Sequence, residues 1–268
     1  MSEAVVAHNR LIAPGYYRMG LQWKSPGVTP GQFIMLRVSA DSLDPLLRRP
    51  FGVYDVLRGA KGIEILYRVV GRGTKIMSTL RPGDMADIFG PLGNGFPAVK
   101  DPGRAVMVAG GMGIAPFYML AKDILKRGEN AALFYGARGR TDAAIATDFR
   151  KLKGLKVEVA TEDGSMGEKG LVTDIFGKKA VWLAGEASVV YACGPSGMLK
   201  EVARISKKNG LRCFVSLERA MACGIGVCLG CAVRTGKTAG KGTDRKKYGM
   251  VCSDGPVFPG EDIEWESL

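Results

Sequence analysis

The most specific chemistry in this sequence lies in four cysteines near its C-terminal end. Cys223, Cys228 and Cys231 are spaced C-x4-C-x2-C, and Cys252 follows a polar, basic stretch. Two irons bridged by two sulfides need four thiolates converging from several directions. A tight turn carrying three of them, with a distal fourth, is the plant-type [2Fe-2S] pattern. Gly224, Gly226 and Gly230 lie between the thiols, where a backbone wrapped around a cluster calls for positive φ and leaves no room for a Cβ. Their amides can point at sulfur, which raises a reduction potential. A structural zinc site also needs four ligands but more often shows paired C-x2-C knuckles. Buried inert thiols are the other bland reading. Disulfides fit least, because no secretory signal is visible and three thiols fall within nine residues.

Three further motifs point to phosphate and nucleotide chemistry. In GRGT, Gly71, Gly73 and Thr74 stand at the start of a short helix running through Leu80, with Thr74 as N-cap and Arg72 nearby. Free amides there suit a phosphate, although a solvated turn gives the same residues. Arg49, stiffened by Pro50, has the fork geometry to clamp a pyrophosphate, although a lone RRP is more often surface. GGMGIAP, holding Gly110, Gly111, Gly113, Ala115 and Pro116, lies between a strand-like RAVMVAG and an apolar helix ending at Gly128. That order is the one a dinucleotide site uses, with the helix N-terminus facing the pyrophosphate, although the motif is not the full GxGxxG. Cys193, Gly194 and Pro195 end a later strand, where ligands gather in open α/β sheets. By its residue type alone, Cys193 reads as a packed small hydrophobe.

These motifs must be positioned by three segments. Residues 1–98 read as six β-rich runs separated by turn signals, which predicts a small antiparallel barrel. VKDPGR at 99–104 marks a boundary, and residues 99–210 alternate strand and helix as a doubly wound parallel sheet, with a helix over 141–152. From Leu211, CFVSLE reads as a strand leading into the cysteine turn, so residues 211–268 form a small module expected to depend on its metal centre for folding. Composition is ordinary globular, at 46% hydrophobic and 24% charged, which argues against disorder. The net charge of +12 is scattered without a basic helix interleaved with aromatics, so a nucleic-acid partner is not expected. Glycines and Pro116 break the longest uncharged stretch, so no membrane span is expected either. The single histidine, His8, reads as incidental.

A nicotinamide delivers two electrons together as hydride, whereas a [2Fe-2S] centre takes one. A flavin converts between them, and the barrel is where it is expected. Barrel, GGMGIAP and ACGPSGML together resemble the ferredoxin-reductase superfamily over residues 1–210. ERAMACGIGVCLGC with VCSDGPVF closely resembles the electron-transfer subunits of class 1B dihydroorotate dehydrogenases, so the resemblance spans the chain. It implies FAD on the barrel, NAD on the parallel domain and [2Fe-2S] at Cys223, Cys228, Cys231 and Cys252. Arg49, Pro50, Phe51 and Gly52 would meet FAD, as would Leu66, Tyr67 and Arg68, with Gly73 and Thr74 completing its pyrophosphate site. Gly110, Gly111, Gly113, Ala115 and Pro116 would face nicotinamide, as would Cys193, Gly194 and Pro195, with Cys193 near the flavin. Gly52 stands where the superfamily usually carries a hydroxyl, so a backbone amide would take over that flavin contact.

The resemblance further implies a cytoplasmic heterotetramer, two copies each of this chain and a separate FMN-containing catalytic subunit that oxidises dihydroorotate in pyrimidine synthesis. Electrons would run from that FMN through [2Fe-2S] and FAD to NAD, with no general acid or base supplied by this chain. Two alternatives stay open. One is an NAD(P)H-dependent ferredoxin or sulfur reductase, since Arg138 suits a 2′-phosphate while Glu162 and Asp163 suit a ribose hydroxyl. The other is a zinc-bearing, non-enzymatic interaction protein.

Overall fold

The computed structural model describes residues 2–24, 27–38, 44–57, 59, 61–98, 104–184, 188–236 and 247–268. The boundary turn VKDPGR, apart from Arg104, and the centre of the basic stretch before Cys252 lie outside the described residues.

All six β-rich runs form strands: β1 (Ser2–Ala13), β2 (Tyr16–Gln22), β3 (Phe33–Arg37), β4 (Arg49–Val56), β5 (Gly62–Arg68) and, after helix α1 (Arg72–Thr79), β6 (Met85–Leu92). They close into an antiparallel barrel in the order β1-β2-β5-β4-β3-β6. Side-chain alternation drives the closure. Met19, Leu21, Val53, Ile63 and Ile65 point inward and are almost wholly buried. The intervening Tyr16, Tyr54 and Leu66 point outward and are buried as well, because a second domain covers that side. His8 lies in β1 with its Nε2 2.8 Å from Glu64 Oε1.

The second domain comprises β7 (Ala105–Gly110), α2 (Phe117–Lys126), β8 (Ala131–Ala137), α3 (Arg140–Ala143), α4 (Thr147–Arg150), β9 (Leu155–Thr161), β10 (Glu168–Lys169), α5 (Val172–Ala184), β11 (Val189–Cys193) and α6 (Ser196–Lys208). Beyond it come β12 (Arg212–Ser216), β13 (Ala232–Arg234), β14 (Tyr248–Met250) and β15 (Val257–Pro259). The sheet order is β10-β9-β8-β7-β11-β12-β15, parallel except for β15. The chain moves outward from β7 to β10 and then returns to β11, so the direction of winding reverses between β7 and β11. Ligands of open α/β sheets bind at the strand carboxyl ends beside such a reversal. Here those ends are Gly110 and Cys193.

Two expectations need adjusting. The helix over 141–152 is two single turns, α3 and α4, joined by a 3-10 turn at Ala144–Ala146. Tyr135 Oη donates to the Asp142 carbonyl, the acceptor a continuous helix would offer to residue 146. The strand after Leu211 belongs to the central sheet: β12 runs parallel to β11, and β15 returns antiparallel to β12. The cysteine segment therefore leaves the sheet and comes back to it, and its Cys231, Val251, Cys252 and Phe258 share one core with Val106, Val190 and Val215.

Barrel and sheet meet over an apolar seam. The Tyr54 ring stacks on Tyr118 at 4.5 Å and meets Phe149 edge-on. Polar pairs surround it: Lys122 with Asp55 at 2.6 Å, Arg18 with Asp148 at 2.7 Å, and Tyr16 Oη donating to Asp142 at 2.7 Å. Burial drives the Tyr54 phenol well above the ordinary tyrosine range. Replacing Tyr54 by Ala is expected to cost about 3–5 kcal/mol, against about 1 kcal/mol for Phe, which keeps the ring and loses only the hydroxyl. Urea midpoints for the two variants check this, and equal shifts would show that the ring does not hold the seam.

Candidate functional site

The first cavity, about 550 Å³, opens where barrel, sheet and cysteine segment converge. The barrel contributes Phe33, Pro50, Phe51, Gly52, Tyr67, Arg68 and Thr74, and the sheet contributes Ala115, Pro116 and Cys193. Tyr67 is fixed from behind: it stacks on Tyr17 at 5.5 Å and its Oη donates to Asn9 Oδ1 at 3.0 Å. The same Asn9 donates through Nδ2 to the carbonyls of Met77 and Leu80, which ties the end of α1 to the barrel. Leu66 alternates away from the cavity into the seam.

The start of α1 differs from the sequence reading. Gly71, not Thr74, is the N-cap, and Thr74 is the third helical residue. Its hydroxyl accepts from the amides of Val70 and Gly71 and donates to the Gly71 carbonyl. The extended backbone of Gly71 begins the helix earlier, and the threonine closes its first turn by folding back. Arg49 reaches this turn, and a Cβ on Gly73 would stand 3.0 Å from its Nε. Arg49 is steadied by the carbonyls of Pro45 and Leu47, while Arg72 turns to Asp44 at 2.9 Å. A guanidinium over unpaired first-turn amides is a fitting cradle for a pyrophosphate.

The second cavity, about 430 Å³, shares Arg68 and Met112 with the first and is lined by the glycine turn and the carboxyl ends of β8, β9 and β11. The glycines divide their roles. Gly111 is left-handed at φ 53° with open space beside it, and it lines the cavity. Gly113 lies hard against the Cys193 carbonyl, and a Cβ on Gly110 would stand 2.7 Å from Met198 Sδ. Gly194, at φ 154°, backs onto Gly110. Most of these glycines thus let two turns touch, and one opens toward the ligand space. A 3-10 turn at Gly111–Ile114 and the N-cap Pro116 separate the glycines from α2. Pro195 lines the second cavity, whereas Ala115, Pro116 and Cys193 line the first. Burial raises the Cys193 thiol far above its usual range, with Glu218 adding to the effect, so it is an uncharged wall.

Cys231 Sγ is 3.3 Å from Cys252 Sγ, and Cys223 and Cys228 share the same turn, five residues apart. Among the described residues no three metal-ligating side chains converge on a single ion. Thiols reached by backbone amides suit a two-iron cluster, whose sulfurs take such bonds. Amides serve the sulfurs: Gly226 N lies 3.1 Å from Cys252 Sγ, and Ile225 N lies 3.4 Å from Cys223 Sγ. The Ile225 and Cys228 amides draw the Cys223 thiol down to about 6, while burial pushes Cys252 up to about 12. Gly224 and Gly226 have the expected positive φ; in place of Gly230, Leu229 takes the third left-handed position at φ 58°.

Several wall residues carried no signal in the sequence. Phe33, Met112 and the run from Ser216 through Met221 line the first cavity. Glu218 lies close to Cys193 there, and burial raises its carboxyl above the ordinary value. Met221, in that wall, stands two residues before Cys223, so the cavity and the cysteine turn adjoin. Gly113→Ala is expected to cost several kcal/mol, about 3 or more, because backbone must move. Gly52→Ala, whose Cβ would meet only Pro116 Cδ at 3.9 Å, is expected to cost under about 1 kcal/mol. Thermal denaturation of the cofactor-free variants checks the contrast.

The model described as the iron-sulfur cluster binding domain of dihydroorotate dehydrogenase B matches residues 218–264, and that of the oxidoreductase NAD-binding domain matches residues 107–204. An electron transfer subunit of dihydroorotate dehydrogenase B (NAD(+)) from Caldanaerobacter subterraneus subsp. tengcongensis is 41% identical over 97% of both chains. Its counterpart from Bacillus caldolyticus is 38% identical over 96% of both. Among solved structures, an NADH-dependent reduced ferredoxin-NADP oxidoreductase superposes with a TM-score of 0.84 at 28% identity, over all of this chain and 92% of the other. The ferredoxin reductase of a carbazole 1,9a-dioxygenase, at 21% identity and a TM-score of 0.68 over 78% of this chain and 65% of that one, shares the fold.

Proposed function

The chain belongs to the family of dihydroorotate dehydrogenase B electron transfer subunits, and we propose that it carries electrons from a partner's FMN through [2Fe-2S] and FAD to NAD+ in pyrimidine synthesis. The observation that carries this reading is the junction itself: two cavities share Arg68 and Met112, and the wall of the first runs directly into the cysteine turn. When bound, the flavin and the cluster supply exchange between nicotinamide hydride and single electrons.

The chain's residues bind, orient and exclude water. Arg49, with the first-turn amides of α1, holds the FAD pyrophosphate, while Pro50, Phe51, Gly52, Tyr67 and Arg68 wall its ring system, with the backbone of Leu66 beside them. Gly73 leaves room for Arg49, and Thr74 shapes the turn. Gly110, Gly111, Gly113 and Gly194, with Ala115, Pro116 and Pro195, shape the path of the dinucleotide toward the flavin. Cys193, neutral and buried, closes the back wall. Cys223, Cys228, Cys231 and Cys252 would hold the cluster. None of these side chains is required as a general acid or base.

The pair at Cys231 and Cys252 is buried in the core that includes Phe33, whereas Cys228 is exposed. Around Cys228 stand Ile225, Val227 and Leu229, with Val227 70% exposed. Such an apolar collar suits the FMN-containing catalytic subunit, in a heterotetramer of two copies of each chain. No described helix is long and apolar enough to cross a membrane, and the reduced thiols suit the cytoplasm. A second reading, an NADPH-linked reductase, is favoured only by Arg138 at the second cavity.

The test is anaerobic purification with the catalytic partner, followed by dihydroorotate-dependent NAD+ reduction with iron, sulfide and flavin assayed. NADPH turnover independent of dihydroorotate would favour the second reading, and a colourless zinc protein would reject both. Cys228→Ser is expected to lose the cluster's absorbance while NADH still bleaches the flavin. A flavin that NADH no longer reduces would show that the two sites are not separate. Arg49→Ala is expected to weaken FAD retention by roughly 10- to 100-fold, the worth of a charge-assisted contact, as read by flavin fluorescence on dilution.

A further inference from the structure

We propose that Glu218 supplies the flavin with the proton that must accompany electrons arriving singly from the cluster. The inference rests on the proposed electron route, whose balance calls for such a group. NAD+ becomes NADH by gaining two electrons and one proton. The electrons come one at a time through the cluster, and the proton does not come with them. One proton must therefore reach a ring nitrogen of the flavin for every NADH formed, and it leaves again with both electrons as hydride. None of the residues assigned above to the two cofactors supplies it.

Few groups in the first cavity could. Among the described residues, the titratable and charged side chains of its wall are Tyr67 and Arg68 from β5, Cys193 from the end of β11, and Glu218 with Arg219 after β12. Tyr67 donates its hydroxyl proton to Asn9, and burial lifts its phenol far above the ordinary tyrosine range. Burial lifts the Cys193 thiol far from its own usual value as well. A guanidinium donates hydrogen bonds but does not cycle its protons. Glu218 differs from all of these. It has no side-chain hydrogen bond or ion pair among the described residues. Its side chain stands open to water through the cavity, while the walls around it desolvate the carboxyl and raise it above the ordinary carboxylate value. Such an acid holds its proton nearer to neutrality, and water in the cavity mouth restores that proton after each cycle.

The fold places the acid on the side of the cavity that runs into the cysteine turn. β12 pairs with β11 so that Ser216 lies opposite Cys193, and Leu217 N donates to the Pro256 carbonyl at 2.9 Å. These contacts fix the backbone immediately before Glu218. In the step itself the carboxyl O–H bond breaks and an N–H bond forms on the flavin, which takes two electrons from the cluster in succession. The carboxylate left behind takes a proton from water. NADH, in contrast, brings its proton already bound in the hydride, so reduction of the flavin by NADH needs no acid. The acid form of Glu218 is present below its raised pKa and is lost as pH climbs through it. The cluster-fed reaction therefore slows with rising pH, and the NADH reaction does not.

The test uses the holoprotein carrying FAD and cluster, in complex with the FMN-containing partner, and the variant Glu218→Gln. NADH production from dihydroorotate is expected to fall on the order of 100-fold, the worth of a positioned acid, and to lose its decline with rising pH. Bleaching of the flavin by NADH is expected to stay within about threefold of wild type. Glu218→Asp, with the acid on a shorter arm, should keep the pH dependence at a lower rate. Redox-difference infrared spectra of the FAD-loaded chain give a readout apart from turnover. They are expected to show a protonated carboxyl band that shifts in heavy water and on flavin reduction, and that is missing from Glu218→Gln.

Equal losses in both reactions would mark a structural role and overturn the proposal. A dihydroorotate-driven rate in Glu218→Gln within about threefold of wild type overturns it too, as does the same carboxyl band in wild type and variant; in each case the electron route stands. If dihydroorotate delivers no electrons to the wild-type flavin while NADH reduces it, the route itself fails and this inference falls with it.

Discussion

Hydride passes between two rings only when they are held within van der Waals contact and aligned, with reacting atoms about 3–3.5 Å apart. On the proposed function the flavin is held mainly by the barrel and the dinucleotide by the sheet, so everything depends on the seam between them. Tyr54, Tyr118 and Phe149 interlock there, and three polar pairs close the edges. Interiors packed in this way resist sliding, because any shift opens voids that cost dispersion and hydrophobic free energy. The seam therefore fixes the distance across the two cavities without a covalent link.

The same requirement explains the glycines. Gly110, Gly113 and Gly194 bring the turn after β7 onto the turn after β11, closer than side chains would allow. Their packing sets Cys193 at the back of one cavity and Gly111 at the face of the other. A strand order that reverses between β7 and β11 creates the crevice, and the missing Cβ atoms close its floor.

Much of this was legible in the sequence because local chemistry decided it. Alternating runs gave the barrel strands, and the order of strand, glycine turn and helix gave the parallel sheet. The cysteine spacing already marked the turn that gathers three thiols. What stayed hidden depended on contacts distant in sequence. The role of Asn9, which holds Tyr67 and the end of α1 together, is set by residues 58 to 71 positions away. Glu218 and Met221 became cavity walls only because β12 joined the central sheet instead of leading into a separate module. The break between α3 and α4 arose from a tyrosine on β8 that competes for a helical carbonyl. Thr74 was read as a cap from its residue type, whereas an extended glycine three residues earlier took that place.

The cysteine segment shows why a metal-dependent fold need not be a separate one. On its own it has two three-residue strands and little to bury. Here β15 is a strand of the central sheet, and Gly224 packs against Met35 and Leu92 of the barrel. Barrel and sheet thus hold both ends of the thiol turn. That arrangement gives the four sulfurs a direction: Cys231 and Cys252 sit in the shared core, and Cys228 sits at the surface. On the proposed function a carrier held by these sulfurs would have a buried side toward the first cavity and an open side among Ile225, Val227 and Leu229. Electron transfer weakens steeply with distance, so on the proposed function a partner docked on the open side would have the shorter path.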